Sequence, residues 1–208
     1  NGYPLIYWSI KSALESRLLT NFVVSTDSAH YASVARNYGG RCPFIRPDYL
    51  ATDTASSVDV VLHAEQEASR IDNIQYDAVL LLEPTSPLRL KNDIDNIIKL
   101  FSDSQDQFDA VVSLGEPPVH PALFKKLEPN GFIKPFVSSV CCHKRRQELE
   151  IVYFPYGVGY ICKIDTLRDQ RTFYPPKTTG YILKEFQCFE IDRAYDFVIG
   201  ECLFDYAY

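Results

Sequence analysis

Long apolar runs are missing from this sequence. The longest, such as Ala78-Val79-Leu80-Leu81-Leu82, are strand-length and far short of the roughly 18 to 20 residues that a bilayer-spanning helix needs, so no membrane helix is expected. A block of lysine and arginine is missing as well. The 21 basic residues face 27 acidic ones, for a formal charge of −6, and without a cationic strip a nucleic acid is not an expected partner. The six cysteines, at 42, 141, 142, 162, 188 and 202, contain no CxxC pair, which points to reduced thiols in a cytoplasmic protein. Cys141-Cys142 is their one cluster, and adjacent residues make a poor metal site. Methionine is absent altogether, and the chain opens Asn1-Gly2-Tyr3-Pro4, so residue 1 is not expected to be the biological start and no signal peptide can be read from it. No internal repeat or low-complexity tract occurs. What is present, 46% hydrophobic and 23% charged residues, is the balance of one folded domain over 1–208.

Strand and helix patterns alternate along the first half. Behind Pro4, Leu5, Ile6, Ile10, Ala13, Leu14 and Leu18 recur at helical spacing and predict a helix over 4–18. Asn21 to Thr26 reads as a strand. Ser28 can cap a helix that Gly39-Gly40 stops. A short strand follows at 43–45, then a helix from Ser56 or Ser57 carrying Val58, Val61, Leu62 and Ala68. The run Asp77 to Glu83 reads as a strand buried on both faces, as in a parallel sheet. Ile94, Ile97, Ile98 and Phe101 mark a helix, and 109–114 another short apolar strand. This order argues βαβ units. From Gly115 prolines break the pattern and no helix of useful length is expected until 193–204, while 156–164 returns to strand character. Residues 115–150 read as an excursion from the main sheet.

In open parallel sheets, ligands bind beyond the carboxyl ends of the strands. Three places qualify: Ser25-Thr26-Asp27, Glu83-Pro84-Thr85-Ser86 and Gly115-Glu116. Asp27, Thr85 and Ser86 are equally the residue types that cap helices. Arg46, Asp53, Ser56 and Ser57, then Arg89, then Lys144-Arg145-Arg146 form a polar and basic group. Several arginines in an acidic protein suit an anionic small molecule, although surface pairing accounts as well for Lys144 and Arg145. Glu190 and Asp192 are two apart, so on a strand they share a face and could reach one hard cation such as Mg²⁺; two acids ahead of a helix also complement its dipole. His63 and His120 read as a packed and a loop histidine.

Six blocks taken in order carry a resemblance: NGYPLIYWSI, FVVSTDS, RPDYLATDTASS, LLLEPTSPLR, RRQELEIVYFPYGVGYI, and FYPPKTTGYIL with FEIDRAYDF. Together they resemble the acylneuraminate cytidylyltransferase family, the CMP-sugar synthetases that activate eight- and nine-carbon ulosonic acids, over nearly the whole chain. The resemblance implies a three-layer α/β/α nucleotidyltransferase fold with a mostly parallel sheet and a projecting dimerisation element at about 115–155. It implies transfer of CMP from CTP to the anomeric hydroxyl of a sialic-acid-like sugar acid with release of pyrophosphate, Mg²⁺ as cofactor, and a homodimer. Phosphoryl transfer rests mainly on positioning and charge neutralisation, which these residue types supply. By motif position, Glu190 and Asp192 resemble the catalytic metal-binding acids. Arg46, Asp53, Ala55 and Ser57 fall on the nucleotide side. Glu83, Arg146, Tyr160, Phe173 and Tyr174 fall on the sugar side, with Arg146 placed to act in a neighbouring subunit. Without the family, Tyr160 and Phe173 read equally well as core aromatics.

The sequence departs from the family pattern in four places. The N-terminal strand and Gly-rich phosphate loop are expected before residue 1. Glu190 stands where aspartate is usual. Glu83 stands where glutamine is common, exchanging an amide donor for an anion that accepts hydrogen bonds from hydroxyls or amines. Tyr156-Gly157-Val158 replaces an NGA block. A legionaminic, pseudaminic or Kdo-type acceptor therefore stays open, as does a relative that binds CMP or CTP without turnover.

Overall fold

The structure, a computed structural model, describes residues 1–104, 107–137 and 145–207, and only the backbone at Arg146. Its centre is a four-stranded sheet in the order β1 (Ala78–Leu81), β5 (Phe154–Lys163), β2 (Ala110–Gly115), β6 (Thr178–Ile182). β2 and β6 are parallel, while β5 runs antiparallel to both β1 and β2. The sheet is thus mixed, with β1, β2 and β6 sharing one direction and β5 reversed between them. The reversal follows from the route of the chain, because the excursion re-enters the sheet at the end where β2 leaves it, with Phe154 opposite Gly115.

Side chains alternate across a strand, and the two faces of this sheet make separate cores. Val79, Leu81, Ala110, Val112, Tyr160 and Cys162 pack with Val58, Val61 and Leu62 of α3 (Ser57–Asp72) and Leu167 of α5 (Ile164–Gln170). Their strand neighbours Ala78, Leu80, Val111 and Ile161 pack with Ile97 and Phe101 of α4 (Asp93–Ser102). That alternation makes the three α/β/α layers expected. A third cluster joins Ile10 of α1 (Leu5–Glu15) to Ala32 and Ala35 of α2 (Ala29–Asn37), and α6 (Asp196–Ala207) closes the chain.

The boundaries have local causes. Ser28 Oγ accepts from Tyr31 N, and Gly39 takes φ +85° to end α2, whereas Gly40 does not need a positive φ. Ser56, not Ser57, caps α3 by accepting from Val58 N at 3.2 Å. α1 ends at Glu15, three residues before its apolar period does, because the Asp95 carboxylate takes the Ser16 hydroxyl at 2.5 Å and the amides of Arg17 and Leu18. Asp196 Oδ2 accepts from the Asp192 and Arg193 amides and delays α6 to residue 196. The expected strands at 21–26 and 43–45 are extended but form no ladder: Val24 N to Arg41 O and Arg46 N to Thr26 O are the bonds joining the two segments. Outside the excursion, two elements appear that periodicity did not announce, α5 and β6. Each is short, and β6 has a glycine at its centre.

The excursion holds the antiparallel pair β3 (Lys125–Leu127) and β4 (Ile133–Pro135), separate from the main sheet and exposed at every residue. No helix among the described residues is long and apolar enough to cross a membrane.

Candidate active site

The site begins at an irregularity in β5. Val112 pairs with Tyr160 but Leu114 pairs with Pro155, so residues 156–159 bulge out opposite Ser113. Bulges of this kind re-aim side chains beside functional sites. Ser113 holds this one from inside: its buried hydroxyl bonds the Tyr156 carbonyl and lies 3.0 Å from both Gly159 N and Gly159 O. The bulge carries Gly157 against the end of β1, where Glu83 N donates to Gly157 O at 3.0 Å.

Gly157 is needed there because of proximity. A Cβ on it would lie 2.6 Å from Glu83 Cβ and 2.9 Å from Ser86 Oγ. Its amide and the Ser86 hydroxyl each donate to Glu190 Oε1 at 3.0 Å. Ser86, a helix cap on sequence grounds, is instead a buried anchor for the Glu190 carboxylate, and Thr85 O accepts from Ile191 N at 2.8 Å to fix the same segment.

Beneath this junction lies Arg89, only 4% exposed. Its guanidinium donates to the carbonyls of Glu83, Gly157 and Val158, each at 2.7 Å, and to Ser9 Oγ at 2.9 Å. The expectation that Arg89 belongs to a basic group for an anionic ligand is corrected: it is a structural clasp joining α1, β1 and β5. The acids above the clasp repel one another. Burial first, then Glu190 and Asp192, push the Glu83 carboxyl above the usual carboxylate range, against the opposing pull of Arg89.

Two separated sequence blocks line one hollow of about 260 Å³: Arg46, Ala55 and Ser57 from the first and Glu83 from the second, over a floor that includes Val61 and Leu81. Arg46 pairs with Asp27 at 3.3 Å, and its buried Nε has no acceptor among the described residues. Asp53 sits exposed on the loop ahead of α3 and lines neither this hollow nor a second of about 510 Å³ that shares Leu50, Thr52 and Ala55 with it.

On the expected sugar side, Tyr160 is buried with its hydroxyl hydrogen-bonded to Tyr174, whose ring stands 6.3 Å away at 77°. Burial, Tyr174, Glu83 and Glu190 raise the Tyr160 phenol far above its ordinary value, so it stays protonated as a donor. Tyr174 is 52% exposed, whereas Phe173 is buried in the α3/α5 core. Of the aromatic pair, then, Tyr174 faces outward and Phe173 supports it. The Arg146 side chain, like Cys141, Cys142, His143 and Lys144, lies outside the described residues.

Glu190 and Asp192 lie in one segment, but that segment forms no strand, so the shared strand face expected of them is not what places them. Asp192 is exposed, and the described residues tie Glu190 through one oxygen. No group of three or more histidine, cysteine or acidic side chains among the described residues could hold a metal by itself. Two carboxylates fit Mg²⁺ nonetheless, since that ion keeps several waters and completes its shell with substrate phosphates.

A family profile described as Cytidylyltransferase matches residues 1–201. The chain belongs to the cytidylyltransferase family. Among proteins of that family, an N-acylneuraminate cytidylyltransferase of Streptococcus agalactiae serotype V is 34% identical over the whole of this chain and 49% of its own length. A CMP-N,N'-diacetyllegionaminic acid synthase of Legionella pneumophila is 30% identical over 98% of this chain and 86% of its own. A pseudaminic acid cytidylyltransferase of Campylobacter jejuni is 29% identical over 98% and 86%. The chain spans about half the length of the streptococcal relatives. Among solved structures, a CMP:2-keto-3-deoxy-manno-octonic acid synthetase complexed with CTP matches at TM-score 0.65 and 13% identity, over 99% of this chain and 89% of that one. A 4-diphosphocytidyl-2C-methyl-D-erythritol synthase from Anaerococcus prevotii matches at 0.63 and 9%, over 99% and 87%. Cytidylyltransferases of this kind generally use a divalent metal.

Proposed function

We propose that the chain transfers CMP from CTP to the anomeric hydroxyl of a sialic-acid-like ulosonic acid. The anomeric oxygen bonds to the α-phosphorus, the bond from that phosphorus to the bridging oxygen breaks, pyrophosphate leaves, and the hydroxyl proton passes to solvent. The observation that carries this reading is the single hollow in which Arg46, Ala55, Ser57 and Glu83 meet, because four positions drawn from two distant blocks of the family pattern converge there.

In this reading Ala55 and Ser57 hold the base and Arg46 supports the nucleotide side, with Asp53 on the loop that delivers them. Glu190 and Asp192 hold Mg²⁺, which when bound neutralises phosphate charge and favours ionisation of the attacking hydroxyl. Ser86 and the Gly157 amide fix one oxygen of Glu190, leaving its other oxygen and Asp192 free to face the cation. Glu83, Tyr160 and Tyr174 face the sugar acid, with Phe173 behind them, and Arg146 supplies a cation for a carboxylate from the neighbouring subunit of a homodimer. The hairpin supports that assembly: Leu127 and Phe132 are each 70% exposed, beside Ile133 and Phe136, an apolar patch of the kind that marks a protein contact. The cytoplasm, where thiols stay reduced, suits its free cysteines.

The test is pyrophosphate release by the full-length protein from CTP and Mg²⁺ with sialic, legionaminic, pseudaminic and Kdo-type acids in turn. Release with at least one acid is expected. CMP or CTP binding with silence for every acid would replace the proposal by a binding role.

A further inference from the structure

The Glu83 carboxylate differs from Ser86, Arg89 and the bonded oxygen of Glu190, the committed polar groups around it. Its backbone is held on both sides, N–H to Gly157 and carbonyl to Arg89, and yet no hydrogen-bond donor among the described residues reaches its side-chain oxygens. The group is half-buried, lines the hollow opposite Arg46 and Ser57, and feels the like charges of Glu190 and Asp192. It also acts on the other side: its charge contributes to raising both the Tyr160 and the Tyr174 hydroxyls. A carboxylate removed from water without a donor is costly, and a donor brought by a ligand removes that cost. An ionised carboxylate only accepts, so it discriminates sharply between a ligand group carrying N–H or O–H and the same group with its hydrogen replaced.

We infer that Glu83 is a specificity-determining acceptor that admits sugar acids presenting an N–H or O–H group to the end of β1 and rejects acids in which that group is capped or anionic. This rests on the sugar-acid reading above. The geometry makes the selection strict. The Glu83 side chain lies along the face of Gly157, with both its Cβ and its Oε2 so close that a methyl on Gly157 would meet them, and Arg89 pins its carbonyl. The carboxylate is thus held at the wall of the hollow, within electrostatic reach of Tyr160 and Tyr174, and a ligand seated there must bring the donor to it.

A cytosine amine is a second source of an N–H donor, and the experiment separates the two. Full-length wild type, Glu83→Gln and Glu83→Asp are assayed for pyrophosphate release with the best ulosonic acid from the panel and with analogues methylated in turn at each hydroxyl or acetamido nitrogen. Each is also assayed with CTP against CTP dimethylated on its exocyclic amine. For one sugar position, wild type and Glu83→Asp should lose at least about 30-fold in kcat/KM on methylation, while Glu83→Gln, whose amide can donate to the ether oxygen, should lose no more than about threefold. Discrimination against dimethylated CTP should be the same in all three proteins. Equal methylation penalties in wild type and Glu83→Gln at every sugar position would overturn the inference while leaving the reaction standing. A Glu83-dependent change confined to the CTP analogue would overturn it in favour of base recognition. Silence with every unmodified acid would defeat the underlying reaction itself, and no variant comparison would then be reached. Retention of the sugar-methylation penalty in Glu83→Asp, measured beside an unchanged unfolding midpoint, distinguishes acceptor chemistry from mere loss of shape.

Discussion

The floor of the cleft and the hairpin are opposite solutions to placing polar and apolar groups. At the floor, Ser86, Arg89 and Ser113 are buried and every one is committed to backbone or carboxylate partners, so polar side chains hold the backbone in an irregular shape. On the hairpin, Leu127, Phe132, Ile133 and Phe136 stand about two-thirds exposed, outside the core clusters of the described residues. The floor completes itself within one chain. The hairpin has apolar surface that the other described residues leave uncovered, and a second copy is the cover proposed for it.

This contrast breaks first at Arg89. Arg89→Met should lower stability by about 3 kcal/mol or more, because three carbonyls lose a charged donor worth about 1 kcal/mol or more each; a denaturant titration that places the loss below 1 kcal/mol would show the clasp to be ornamental. Asp192→Asn should leave the unfolding midpoint in place and reduce CMP transfer about 100-fold, equivalent to about 2.7 kcal/mol of transition-state stabilisation, as read by steady-state pyrophosphate release. Gly157→Ala should cost about 1–3 kcal/mol, since the added methyl meets Glu83 and Ser86 in a packed junction, and thermal unfolding checks it. At the hairpin the effect belongs to association rather than folding: Phe132→Glu should raise the dimer dissociation constant at least about tenfold, or about 1.4 kcal/mol, in sedimentation equilibrium, with the secondary structure unchanged.

The smallest effect concerns pH. Burial, with Cys188 and Glu190, pushes Tyr156 up to about 12 from an ordinary 10. A folded value above the unfolded one means that the contribution is fully present below pH 10 and is lost as pH rises toward 12. Phenolate absorbance should therefore show a minority of tyrosines that ionise only near or above pH 12, and uniform ionisation near 10 would contradict the burial.

What could be read from the sequence follows the same division. The helices at 29–37, 57–72 and 93–102 and the strands at 78–81 and 110–115 announce themselves through periodicity and caps, and the two-faced alternation of Val79, Leu80 and Leu81 gives the three layers. The reversed direction of β5 did not follow from any local pattern, since an apolar strand reads the same in either direction. Ends of elements set by distant side chains, as Asp95 sets the end of α1, were equally out of reach. Within the site, residue chemistry marked Arg46, Ser57 and Glu190, the family resemblance added Ala55 and the sugar-side role of Glu83, and the fold gathers Arg46, Ala55, Ser57 and Glu83 around one hollow. Ser86, Gly157 and Arg89 were misjudged or passed over because their roles lie in contacts 33 to 104 positions away, a separation that no spacing rule samples. YGVG at 156–159 was the one available signal for the bulge: two glycines inside an otherwise apolar strand mark a place where another backbone or side chain approaches closely.

The central claim is that the residues meeting between β1, β5 and the Glu190–Asp192 segment form a cytidylyl-transfer site. Pyrophosphate release by the full-length protein from CTP, Mg²⁺ and the ulosonic acid panel, run beside Asp192→Asn, tests it most directly. Turnover with one preferred acid that falls about 100-fold in the variant is the result predicted. Equal turnover in both proteins, or none with any acid by a wild type that binds CTP, would contradict it.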